Sequence, residues 1–166
     1  MSETATPDAS KRLSRSGSFL PEGLDEAMIR DVVDRFYALA RDDEVIGPVF
    51  RRAVPDDHWQ AHLDTIAAFW SSMLLGSGRY HGRPMPKHLA LPELTDAHFQ
   101  RWLALFRFTV TELCPPDIGA LFIDRSERVG NSFRLNIRMH RGEDLLHLKP
   151  LEREDYRPRT TQPETS

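Results

Sequence analysis

The chain has 166 residues, a net charge of −3 and a 40% hydrophobic share, which is enough for one domain burying roughly two-thirds of its unfolded surface. A pI of about 6.2 leaves no basic footprint for nucleic acid, no apolar run approaches the length of a membrane span, and the single cysteine, Cys114, excludes an internal disulfide. The amino-terminal stretch MSETATPDASKRLSRSGSF lacks the apolar core of a secretory signal, so a cytoplasmic protein is expected.

Residues 1–21 are rich in Ser, Thr, Pro and charge and read as a disordered tail. The first helix is expected from about Leu24 to Arg41. Ile29, Val32/Val33, Phe36/Tyr37 and Leu39/Ala40 recur at helical spacing on one face. Residues 42–56 read as a connector, with Gly47-Pro48 as a helix breaker and Phe50 as a large aromatic in an irregular stretch.

The next helix is expected over about 56–75, opened by Pro55 and the acids Asp56 and Asp57. Trp59, His62/Leu63, Ile66, Phe69/Trp70 and Met73/Leu74 share one side of it. The segment GSG at 76–78 ends this helix, and a loop with Gly82, Pro84 and Pro86 leads to His88, between Lys87 and Leu89. A third helix is expected from Thr95 or Asp96 to Leu113, with Phe99, Trp102/Leu103, Phe106 and Val110 on its apolar face. Cys114-Pro115-Pro116 stops it. A last helix runs from about Asp117 to Met139 or His140. Gly130 inside it costs about 1 kcal/mol relative to alanine. Residues 143–166 are charged and proline-bearing and read as a flexible tail beside a domain at 22–142, although Leu145-Leu146 could dock. Strand alternation and internal repeats are absent, so the fold class is all-α.

Two histidines stand out. His62 lies inside a long apolar helix face, and His88 follows a Gly/Pro loop. Two imidazoles facing one apolar slot suit a flat, metal-bearing ligand such as a haem. His58 and His62 are also four apart, a spacing that can hold zinc. A zinc protease needs Glu directly after the first His, and that position is Trp59. A haem-free helical metal-binding or interaction module using His58 and His62 stands as the alternative.

The ordered part of the chain, about 24–140, resembles a truncated haemoglobin, most of all the third group. The strings that carry the resemblance are Phe36-Tyr37, Gly-Pro-Val-Phe ending at Phe50, Trp59-x-x-His62, Phe69-Trp70 and Leu74-Leu75-Gly76. Tyr80-x-Gly82-x-Pro84, Lys87-His88-Leu89 with Leu91-Pro92, and Arg101-Trp102-Leu103-x-Leu105-Phe106 complete them. Their order and spacing together are specific. Members of the other two groups usually carry Gly-Gly pairs, and this chain has none.

The resemblance implies a globin-like, two-over-two helical sandwich around haem b. It implies His88 as the proximal iron ligand and Tyr37, His62 and Trp102 as distal residues facing a diatomic ligand. Phe50, Ile66, Trp70 and Met85 would line the porphyrin, and Arg83 and Lys87 would approach its propionates. The function implied is binding of O2, NO or CO, with NO detoxification or a peroxidase-like role, and an unidentified reductase, left open. No nucleic-acid or membrane partner is expected.

Overall fold

The computed structural model describes residues 20–82, 91 and 94–158. Among these residues the regular structure is entirely helical, and no helix is long and apolar enough to cross a membrane. Helix α1 spans Glu26–Asp42. Its N-cap, Asp25, accepts from the backbone N–H of Met28 at 2.9 Å, which satisfies one orphan donor of the first turn. Its buried face is Ile29, Val32, Val33, Phe36, Tyr37 and Ala40, the expected stripe.

The chain then turns on Asp43, whose carboxylate accepts from the N–H groups of Val45 and Ile46 at 2.9 and 3.0 Å. This turn starts a helix that the sequence reading placed in a connector: α2, Gly47–Ala53. Gly47-Pro48 begins a helix here rather than breaking one. Proline lacks only an N–H that has no intrahelical partner in a first turn, so it is tolerated there. Gly47 is required by crowding, because a Cβ would lie 2.6 Å from the carbonyl oxygen of Arg41.

A 3-10 turn at Asp56–His58 leads into α3, Trp59–Leu75. Gly76 ends α3 with φ +65°, the left-handed C-terminal geometry that favours glycine. Helix α4 spans Asp96–Leu113 and α5 spans Pro116–His140. Helix α5 runs unbroken through Gly130, where a Cβ would make only ordinary contact with Leu103. Helix α1 packs against both α3 and α4, and α4 packs against α5, so two helix pairs are layered across the α1–α4 contact.

The core is aromatic. Phe106 stacks between Trp70 and Trp102, with centroids at 5.1 and 5.5 Å and planes inclined by 14° to each. Phe36 meets Phe106 edge-on at 5.2 Å. Phe106 is 1% exposed. Truncating it opens a void between two indoles that the helices cannot close. We expect Phe106→Ala to cost about 3–5 kcal/mol, read by denaturant unfolding; a loss below about 1 kcal/mol would mean that the stack is not what holds α3 to α4.

Residues 143–158, read as tail from their charge, carry no regular element and lie along α4 and α5. Three backbone carbonyls fix them: Lys149 O accepts from Arg134, Glu152 O from Gln100, and Glu154 O from Arg107. Tyr156 packs edge-on against Phe108 at 5.1 Å.

At the head of α4, Asp96 accepts from Nε and Nη2 of Arg134, at 2.8 and 3.0 Å, and from Nη2 of Arg138 at 2.7 Å. The Arg134 hydrogen bonds hold its carboxyl below the usual range against the opposing effect of burial, with a smaller contribution from the Arg138 hydrogen bond. A carboxylate with a depressed folded pKa contributes its stability in full above the unfolded pKa of about 3.9 and loses it as pH falls through the folded value. Asp96→Asn should therefore lower Tm at neutral pH, and its gap from wild type should close as pH drops below about 4. A gap independent of pH would show that the ion pair contributes nothing. The side chain is 34% exposed, so solvent screening keeps the effect modest.

Candidate functional site

Three helices deliver polar side chains to one point: Tyr37 from α1, His62 from α3 and Trp102 from α4. Tyr37 is 6% exposed. Burial pushes its pKa far above the ordinary tyrosine value, and the indole N–H of Trp102, donating to the phenol oxygen, offsets this only in part. Tyr37 is therefore a neutral phenol at every physiological pH. Its oxygen accepts from Trp102, so its own O–H remains available to donate elsewhere.

Aromatic rings enclose this pair. Phe50 of α2 meets Tyr37 at 5.5 Å and 89°, and His62 meets it at 6.0 Å and 87°. Trp59 lies 6.3 Å from both Tyr37 and Phe50 and 5.9 Å from His62. Arg41 covers the outer face of Trp59 at 4.7 Å and is itself held by Asp56. Trp102 is set from below by its stack on Phe106 and by an edge contact with Phe36 at 5.7 Å. Few water molecules can compete for donors in such surroundings, so hydrogen bonds made there are strong.

The structure thus brings Tyr37, His62, Trp102 and Phe50 together. Ile66 lies one turn beyond His62 on α3, against the same core. Trp70 is buried deeper, between Phe106 and Phe122, and reaches the cluster through Phe106, which touches both Trp102 and Phe36. Arg83, Met85, Lys87 and His88 lie outside the described residues. The approach to that segment is fixed by Tyr80, whose ring packs edge-on against Phe69 at 5.4 Å and whose N–H donates to Ser72 at 2.8 Å. Gly82 sits tight against the same ring, where a Cβ would come within 2.6 Å of the Tyr80 hydroxyl.

Trp59 and Arg41 were not singled out as site residues from the sequence. The signal for Trp59 was present, because Trp59 and His62 are one turn apart and share a face. Arg41 left no such mark, since its position depends on the turn at Asp43. His58 is exposed at the start of α3, beside Asp57 at 3.1 Å. Among the described residues no group of three His, Cys, Asp or Glu side chains is placed to hold a metal ion, so a zinc site on His58 and His62 finds no third ligand there. Burial pushes the Cys114 thiol up to about 11, so it is protonated and a poor nucleophile.

A family model for bacterial-like globins matches residues 22–119. The chain is 31% identical over 115 residues to a group 3 truncated hemoglobin from Campylobacter jejuni, covering 68% of this chain and 91% of that protein. The crystal structure of the group III truncated hemoglobin from Campylobacter jejuni superposes with a TM-score of 0.66 at 30% identity, covering 71% of this chain and 94% of that one. With the helix pairs, the aromatic enclosure and these matches together, the chain belongs to the bacterial-like globin family, as a truncated haemoglobin of the third group.

Proposed function

We propose that this globin binds haem b with His88 as the proximal iron ligand, and that Tyr37, Trp102 and His62 form the distal side on which O2 or another diatomic ligand is held. The observation that carries this reading is the convergence of Tyr37 from α1, His62 from α3 and Trp102 from α4 inside one shell of aromatic rings, with the Trp102 indole N–H toward the Tyr37 hydroxyl. The donor set fits the group. A neutral phenol with a free O–H, an indole and an imidazole stand inside a shell of Phe50 and Trp59, which suits a flat apolar cofactor carrying a polar ligand. Phe50, Ile66, Trp70 and Met85 would contact the porphyrin, and Arg83 and Lys87 its propionates.

A haem bound there supplies the iron centre at which a diatomic gas binds reversibly. The chain's own residues do the rest. Trp102 donates to Tyr37 and thereby turns the Tyr37 proton away from itself, toward the open side of the cluster. Tyr37 then offers that proton to a ligand with partial negative charge. His62, at the edge of the same enclosure, either adds a donor or swings to admit ligand. Phe50 and Trp59 exclude water. Donors this numerous favour a retained ligand, which fits NO detoxification or peroxide chemistry supported by an external reductase better than rapid exchange.

The test is the visible spectrum of the hemin-reconstituted, reduced protein before and after O2 and CO. We expect the Soret band to shift with each gas. A reduced spectrum unmoved by either would overturn the assignment of an open ligand position.

A further inference from the structure

A different face of α4 carries a second cavity. Gln100, Leu103 and Arg107 share that face, away from Trp102 and Phe106. Together with α5 and residues 145–153 they line a space of about 460 Å³. Its apolar wall is made by Leu103 of α4, Leu135 of α5, and Leu145, Leu148 and Leu151 of the carboxy-terminal segment. That segment lies beyond the stretch matched by the globin family.

Two buried guanidinium groups face the cavity, and they differ. Arg134 is compensated, with two donors on Asp96 and one on Lys149 O. Arg107 is not. It is 8% exposed, and among the described residues its one side-chain hydrogen bond runs from Nη2 to Glu154 O at 2.6 Å. Its nearest carboxylate, on the half-exposed Glu127, stays at 3.9 Å, beyond hydrogen-bond distance. Burial, and then the like charge of Arg153 on the same cavity, push the Arg107 pKa down, against smaller opposing effects of Glu127, Asp155 and Glu154. A buried charge that is incompletely paired is costly to maintain. A carboxylate in the cavity would use the free donors of its planar fork.

We propose that this cavity binds a small organic anion with an apolar body, a medium-chain carboxylate. Its head sits on Arg107 and its chain lies against Leu103, Leu135 and Leu148. Lys149 and Arg153 favour the negative head electrostatically. Glu127 and Glu152, which also line the cavity, oppose it and so set a limit on affinity.

The experiment is calorimetric titration of the full-length, haem-loaded protein with decanoate, with 1-decanol and inorganic phosphate as probes of each half of the ligand. Saturable one-to-one binding of decanoate is expected, with decanol and phosphate each at least tenfold weaker. Arg107→Gln removes a charge-assisted hydrogen bond and should weaken decanoate about ten- to a hundredfold, with the Soret band unmoved. Glu127→Gln should tighten decanoate severalfold, a gain that misfolding cannot produce. Decanoate binding that is absent, that is equal in Arg107→Gln and wild type, or that fails to tighten in Glu127→Gln would overturn the proposal, as would decanol binding as well as decanoate.

Discussion

His88→Ala is expected to lose most of its bound haem, or to retain it without a protein ligand on the iron. A neutral imidazole nitrogen is the one strong bond between chain and cofactor in this reading, and its other ring N–H needs an acceptor that fixes the ring. The aromatic enclosure alone would still hold a porphyrin by apolar contact. For that reason the variant is read both by haem content after gel filtration and by the ferrous and CO spectra. Full haem content with an unchanged spectrum would assign the proximal role to another histidine, with His81 the nearest rival in sequence. In this reading haem should bind the folded chain far better than the unfolded one, so His88→Ala should also lower the apparent Tm of the reconstituted protein by mass action.

Tyr37→Phe is expected to speed O2 dissociation by roughly ten- to a hundredfold, because a hydrogen bond to a charged acceptor contributes about 1.5–3 kcal/mol. The loss falls on the off-rate, since the donor stabilises the held ligand more than the departing one. The structure adds a coupling. Trp102 donates to Tyr37, so removing the phenol oxygen frees the indole N–H to turn to the ligand and recover part of the loss. Trp102→Phe acts the other way, releasing the Tyr37 hydroxyl from its fixed orientation. Both single variants should release O2 faster, and the double variant should fall short of the product of their effects. Carbon monoxide, a poorer acceptor, should respond less. Strict multiplication of the two effects in stopped-flow O2 release would mean that the two residues act on the ligand independently, contrary to the coupling this account gives them.

Four of the five α-helices among the described residues were legible because each carries a long apolar stripe at helical spacing, and their ends fall within a few residues of the Asp25 cap, Gly76 and Pro115-Pro116. Helix α2 was not, because Gly-Pro has the same appearance at a break and in a first turn. Asp43 decides between the two by accepting from Val45 and Ile46, a bond with no periodic signature. For the docking of residues 143–158, Leu145-Leu146 was the one visible hint, and the attachments themselves were hidden. They are backbone carbonyls accepting from Arg134, Gln100 and Arg107, and such acceptors exist at every residue of any chain. At the site, Tyr37, His62 and Trp102 could each be named from pattern and resemblance. That Trp102 donates to Tyr37 depends on how α1 crosses α4, which sequence spacing does not encode. His88 lies outside the described residues, so its part rests on the sequence alone.

The most direct test of the central claim, that this cluster is the distal wall of a haem site, is titration of the apo-protein with hemin while following Soret absorbance and tryptophan fluorescence together. The account predicts a sharp one-to-one endpoint in both signals, with fluorescence quenched strongly because Trp59 and Trp102 would stand within energy-transfer reach of the cofactor. Absorbance that rises without a stoichiometric endpoint, while tryptophan emission stays unquenched, would contradict it.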